Sequence, residues 1–262
     1  MRCAVVVLAV VVCGLLFAQA GKLDVRWRIW EPETSASLQA DSSTLASDVI
    51  RHTTFGWNRN KALDRLDVTL PWRRSRICLA WWQAIYAGTR ELSDIFTYAG
   101  IQYDAGTSLY CRFRTLNYSA RWEHDLTTAG RSAVISGGFG LLFFRYYLRL
   151  EGVASGLPQH NVWRFDRTFP YLSLSIYTIT RTRMGNLFVG AYVLFSGSLK
   201  LGSTRLKSFS ETCLFFNLAV SGVGVQLGVI NHSLETTITT GSLRHRIRYS
   251  IPGPFVGFSV WF

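Results

Sequence analysis

The sequence predicts an all-β chain, an antiparallel up-and-down transmembrane β-barrel of about 10 strands, within a range of about 8 to 12. Three observations predict it. The chain is 48% hydrophobic and 14% aromatic, yet beyond residue 20 no stretch is both apolar and uncharged over the roughly 20 residues that a helical span needs. Apolar residues instead recur at every second position in segment after segment, which is the period of a strand with two unlike faces. The chain also stops on GPFVGFSVWF, an apolar, aromatic run that needs a place to bury itself, whereas soluble domains let their last residues fray.

The first element is MRCAVVVLAVVVCGLLFAQA, with one basic residue, Arg2, an apolar run from Ala4 to Phe17 and the small-residue site Ala18-Gln19-Ala20. It reads as an export signal over residues 1–20, removed after Ala20, leaving residues 21–262 as one barrel domain. Val12 stands before Cys13 where lipoprotein processing requires a small residue. The signal carries one Arg and no acid, so the formal charge of +12 becomes +11 after its removal. For an exported basic chain the expected partners are acidic lipid headgroups and lipopolysaccharide phosphates. Nucleic acid is not expected, because the Lys and Arg are scattered and no binding signature is present. Cys78, Cys111 and Cys213 are too few and too far apart for a disulfide framework or a zinc site.

The strands follow in order. Val25, Trp27 and Ile29 oppose Arg26 and Arg28; Leu66, Val68, Leu70 and Trp72 oppose Arg65, Asp67 and Thr69. ICLAWWQAIYAG is apolar on both faces and is a strand by length and Trp content. From Leu109 to His124 the face with Arg112 and Arg114 opposes Cys111 and Phe113, and Arg121 falls out of phase, which suggests a bulge or emergence from the membrane. Leu142, Phe144, Tyr146, Leu148 and Leu150 oppose Arg145, Arg149 and Glu151. Leu172, Leu174 and Ile176 define the next strand, Leu187 to Phe195 another, then Leu214 to Val220, Val223 to Val229, and Pro254 to Phe262. With both termini in the periplasm, residues 31–61, 88–105, 152–165 and 198–208 are expected as long external loops. RRSR, DLTTAGR, RTRMG and SGVG are the short turns, and the short link from Thr239 to Ser242 breaks this pattern.

A charge facing hydrocarbon costs about 2–4 kcal/mol at mid-depth, so Arg26, Arg28, Arg65, Asp67, Arg112, Arg114, Arg145, Arg149 and Glu151 are expected to face the lumen. They make either a closed, internally paired polar core or a narrow anion-preferring channel, and the packed interior of a barrel this small favours the first. Among candidate catalytic groups, Glu123, His124 and Asp125 in WEHDL sit at the periplasmic end on alternating faces. His232, Ser233 and Glu235 in INHSLE suggest a lipid-modifying site, but adjacent strand residues point apart. No catalytic residue, cofactor or metal is therefore assigned. Asn117 and Asn231 match glycosylation sequons by coincidence, and the tryptophans suit interfacial girdles.

The ending, with Gly257, Val260 and the terminal Phe262, resembles the β-signal that outer-membrane barrels present to the barrel assembly machinery, departing from it at Phe255, where a polar residue is usual. With VRWRIWEP, AGTSLYCRF and GPFVGFSVWF, the layout resembles small bacterial outer-membrane β-barrel proteins, porin-like in the broad sense. The resemblance implies a fold and an outer-membrane location, with assembly machinery and outer-membrane lipids as partners, and it carries no catalytic residues. A monomer with a structural or surface-interaction role is the expectation.

Overall fold

In the computed structural model, residues 23–57, 62–129 and 133–261 are described; the export segment and Phe262 lie outside them. Among the described residues the alternating sequence forms fifteen strands. They are β1 (Asp24–Trp30), β2 (Ser35–Asp41), β3 (Ile50–Arg51), β4 (Leu63–Trp72), β5 (Ser75–Glu91), β6 (Phe96–Tyr98), β7 (Ile101–Tyr103) and β8 (Ser108–Ala129). Then come β9 (Ala133–Ala154), β10 (Leu157–Thr182), β11 (Gly185–Ser196), β12 (Leu199–Leu201), β13 (Thr204–Val220), β14 (Val223–Thr240) and β15 (Leu243–Trp261).

Ten of them run antiparallel around a closed ring in the order β1-β4-β5-β8-β9-β10-β11-β13-β14-β15, which β1 closes by pairing with β15. The other strands exceed the expected count. β2 continues β1 along the same edge: Trp30 pairs with Phe255 and Ser35 with Ser250, an equal step on both chains. The break between them has a chemical cause. Pro252 and Pro254 have no N–H to give, so only half of the ladder survives, as Glu31 N donates to Pro254 O (2.9 Å) and Glu33 N to Pro252 O (2.7 Å). β12 likewise continues β11 past Gly197 in one register against β13.

Two of the expected external loops are strand. β9 and β10 meet across a two-residue turn, Ser155-Gly156, whose φ of 51° and 72° suits the twist of a hairpin. β12 and β13 meet at Gly202-Ser203, and β14 and β15 at Gly241-Ser242. The long apical connections are residues 42–62, which include β3, and 92–107, which hold the β6–β7 hairpin. β10 has 26 residues, a contour of about 85 Å at roughly 3.3 Å per residue, whereas about 10 residues cross a bilayer.

That excess length divides the barrel in two. At the end with the short turns (the base), the outer face is apolar: Phe139, Leu141, Leu172, Leu174, Val225, Leu227, Val256 and Phe258 are all exposed. Farther along the same outer face come Arg112, Arg114, Arg145, Arg149, Glu151, Arg164, Asp166, Arg244, Arg246 and Arg248. The interior inverts with it. The apical half is filled by Trp30, Tyr86, Phe113, Phe144, Tyr146, Leu148 and Leu150, together with Phe55, Trp57, Phe96 and Tyr98 from the two long connections.

Candidate functional site

The basal interior is built from inward positions on seven ring strands. On β1, Asp24, Arg26 and Arg28 share one face; on β4, Arg65 and Asp67 do. β13 contributes Glu211, β14 His232 and Gln226, β5 Arg76, β8 Arg121, Glu123 and Asp125, and β11 Tyr192. Arg65 is the hub: its guanidinium lies 2.8 Å from Glu211 and 3.0 Å from Asp67. Arg28 reaches Asp67 at 3.2 Å, donates to Gln226 Oε1 at 3.1 Å and stacks over Phe255 at 4.7 Å. Glu211 also accepts from Tyr192 Oη (2.9 Å) and bonds His232 Nδ1 (2.9 Å), and His232 Nε2 lies 3.2 Å from Tyr249 Oη.

Nearer the base, Glu123 is held between Arg76 (2.7 Å) and Arg121 (2.8 Å), with Asp125 beside Arg76. Arg76 also donates to Ser136 and Ser175. The inward basal arginines, Arg26, Arg28, Arg65, Arg76 and Arg121, are thus matched by Asp24, Asp67, Glu123, Asp125 and Glu211, every one in an ion pair. A buried carboxylate or guanidinium with one good partner and satisfied hydrogen bonds is tolerated, and an unpaired one is not. The void between this network and the apical core, bounded by Trp82, Asn117, Leu142, Phe209 and Glu211, is about 10 Å³, room for a single water.

Four of the nine charged residues expected in the lumen, Arg26, Arg28, Arg65 and Asp67, stand in this network. The other five do not. Arg112, Arg114, Arg145, Arg149 and Glu151 lie on the outer face, above the apolar belt, where Arg145 pairs with Asp166 (2.6 Å) and Arg149 with Glu151. Their partners in alternation, Phe113, Phe144, Tyr146 and Leu148, are the buried ones. A charged face must point inward only where the outer surface is apolar, and these residues lie beyond the apolar belt. Arg121 is inward in an unbroken register, so of the two readings of that stretch the bulge does not apply, and the phase changes because Arg112 and Arg114 lie on the outer face beyond the apolar belt; the register shift of β8 falls at Asp125/Thr127.

The network members that sequence reading did not assign are Asp24, Arg76, Arg121, Glu123, Asp125 and Glu211. Parity was the available signal for Glu211, which shares a face with Cys213 and Asn217. His232 is fully buried rather than near the external surface, and Ser233 faces the opposite way, in register between Ser210 of β13 and Ser250 of β15. Glu235 is outside and holds Lys207 at 2.7 Å. Asn117 is buried. Cys78, Cys111 and Cys213 are buried and free. Of the expected assembly signal, Gly257 is inward, where a Cβ would come within 3.0 Å of Arg28 Cγ, Val260 is outward, and Phe262 lies outside the described residues.

The apical interior is closed by the long connections. Trp57 stacks on Tyr86 and Phe113, with ring centroids 5.8 and 5.7 Å away, Phe55 packs on Phe96, and Tyr98 meets Trp163 edge-on at 5.2 Å. Thr34 and Tyr86 share a 2.5 Å hydrogen bond beneath them. At the rim, Asp104 accepts the N–H groups of Ser155 (3.0 Å) and Gly156 (2.8 Å), tying one connection to a hairpin tip.

No protein-family model matches this chain, and no curated protein does. Solved structures similar to it include the outer membrane protein OprG from Pseudomonas aeruginosa, 12% identical, with 93% of this chain and 96% of that one covered and a TM-score of 0.39. Neisserial surface protein A is 12% identical, with 92% and 99% covered and a TM-score of 0.27. The toluene transporter TodX of Pseudomonas putida is 9% identical, with 94% and 91% covered and a TM-score of 0.32. At such scores the superpositions are loose, and function is read below from this chain's own geometry.

Proposed function

We propose that this chain is an integral β-barrel of a bacterial outer membrane, with a structural or surface-interaction role and a closed interior. The observation that carries the reading is the outer face of a closed ring, apolar over the base and charged beyond it. A soluble barrel has no use for a continuous exposed apolar belt. On β13 and β14 the outward apolar positions run over Leu214–Val220 and Val223–Val229, seven residues each, close to the roughly 9–11 residues with which a tilted strand crosses a bilayer, and the charged part then stands in the aqueous layer outside. Outer-membrane lipids and the assembly machinery are the partners this implies.

The closed interior favours this role over an anion-preferring channel, because the inward arginines are occupied by carboxylates and the apical half is packed with aromatic rings. It also favours it over a lipid-modifying enzyme, since His232 and Ser233 stand on opposite sides of the sheet. The test is the gel mobility of the outer-membrane fraction, heated and unheated, alongside planar-bilayer recording of the purified protein. The expected result is a heat-dependent shift without single-channel conductance. A soluble product with no shift would sink the location, and steady anion-selective conductance abolished in Arg65→Ala would sink the closed interior.

A further inference from the structure

The outer face across β11, β13, β14 and β15 carries features in a sequence that alternation alone does not require. At the upper edge of the apolar belt is a shallow groove of about 520 Å³, lined by Val193, Thr212, Leu214, Val229, Pro252 and Pro254. Its size falls in the range of roughly 300–1,000 Å³ typical of small-molecule sites. Directly above it, Ser210, Ser233 and Ser250 stand in one cross-strand row, opposite one another in register. About 7 Å beyond that row, Arg248 faces Glu235 across the β14–β15 pair, and about 7 Å farther along Arg205 and Arg246 flank Thr237 from either side.

Lys207 and Arg244 complete this cationic tier. Against the five cations stand Glu235, which holds Lys207, and Asp41, which lies 3.4 Å from Arg246. Five positive charges less two negative ones leave three uncompensated on a strip that rises from Arg248, about 7 Å above the serine row, to Arg244, about 20 Å above it. From base to apex the surface therefore offers an apolar groove, a row of hydroxyls and a cationic tier. That is the order of chemistry along one anionic lipid: acyl chain, ester or sugar oxygens, phosphate.

We infer that this face binds a phosphate-bearing lipid of the outer leaflet, with an acyl chain in the groove, its ester or sugar oxygens on the serine row, and its phosphate on Arg246 and Arg248. The inference rests on the membrane location proposed above. Guanidinium forks suit phosphate oxygens better than a point charge does, and the surface orientation of the outward arginines leaves their heads free of the protein core. The site needs the groove and the cations together; a cationic rim without the groove would hold any polyanion.

The test is native mass spectrometry of the purified full chain, released from neutral detergent micelles carrying phosphatidic acid or phosphatidylcholine. Wild type is expected to retain one phosphatidic acid at concentrations where phosphatidylcholine is lost, and inorganic phosphate in excess is expected not to displace it. Arg246→Gln with Arg248→Gln, and separately Thr212→Trp, which fills the groove without changing charge, are each expected to weaken retention at least tenfold. Arg112→Gln with Arg149→Gln, on the far side of the barrel, is the charge-matched control and is expected to leave retention unchanged.

Equal retention of phosphatidylcholine, displacement by inorganic phosphate, an unaffected Thr212→Trp, or an equal loss in the control would each overturn the inference. Heat-dependent gel mobility, read on every variant, separates the failures. A preserved shift without selective retention ends this inference alone, whereas a wild type with no shift ends the membrane location with it.

Discussion

Arg65 is the residue on which the basal interior depends most, because it alone touches both Asp67 and Glu211. Arg65→Met leaves Glu211 buried with only His232 and Tyr192 against it, and losing one partner of a buried pair costs about 3–5 kcal/mol. The expected outcome is a lower urea midpoint for the folded form in detergent micelles. Arg65→Met combined with Glu211→Gln should lose less than Arg65→Met alone, because the stranded charge is gone. His245 is the contrasting case: buried in the apical half, beyond the belt, between the Trp163 and Phe165 rings, with Ile238 and Ala40 opposite it in register. Burial pushes its pKa down to about 4 from an ordinary 6.5. Between those values the unfolded chain binds the proton and the folded one does not. The stability from this group is therefore complete above pH 6.5 and is lost as the pH falls toward 4, up to about 3 kcal/mol. Lower amide-exchange protection factors around Trp163 and Ala40, taken relative to the intrinsic rate at each pH, are expected at pH 4.5 than at 7.5, with His245→Phe largely removing the difference.

At the scale of elements, the fit between β5 and the first long connection is set by Gly88. A Cβ there would lie 1.9 Å from the carbonyl oxygen of Phe55, and backbone cannot yield as a side-chain tip can. Gly88→Ala is expected to unseat residues 50–57 and free Trp57 from Tyr86 and Phe113. Protease nicking within residues 42–57 should rise at least about tenfold, equivalent to about 1.4 kcal/mol of local stability, while the heat-dependent shift survives. The strands themselves were legible in the sequence, because Val225 with Leu227, or Leu172 with Leu174, announce a two-faced strand by period alone. Which face looks inward was legible only where hydrocarbon decides it. Arg145 and Phe144 alternate as cleanly as Ser173 and Leu172, yet the sense is reversed, and no local signal marks the depth at which it reverses. The same inversion hid the hairpin at Ser155-Gly156: its flanks lack the charge-free face that identifies a lipid-facing strand, so they read as loop. Glu211 and Arg76 went unassigned because a lone charge at a strand end gains meaning only from partners 146 residues away, in the case of Glu211 and Arg65, or across a neighbouring strand.

In the membrane location proposed above, the whole molecule is one sheet used in two solvents. Its base follows the rule for membrane barrels, apolar outside and polar within, and its apex follows the rule for water-soluble proteins, so a single register of hydrogen bonds passes through both without a joint. The tight turns at the apical end carry this furthest. At Gly241, in the left-handed region at φ 58°, a Cβ would meet nothing within 4 Å, so the turn itself opens into free space while the ladder beneath it is complete and Thr239 N donates to Ser203 O of the neighbouring turn (2.8 Å). Such a tip can lengthen without disturbing what lies below. A short epitope placed between Gly241 and Ser242 is expected to be reached by antibody on intact cells and to leave the heat-dependent shift unchanged, checked by whole-cell labelling and gel mobility. What looks like a rigid rim is then also the part of the chain most open to divergence, where new sequence can be offered to the surroundings while the barrel beneath stays as it was.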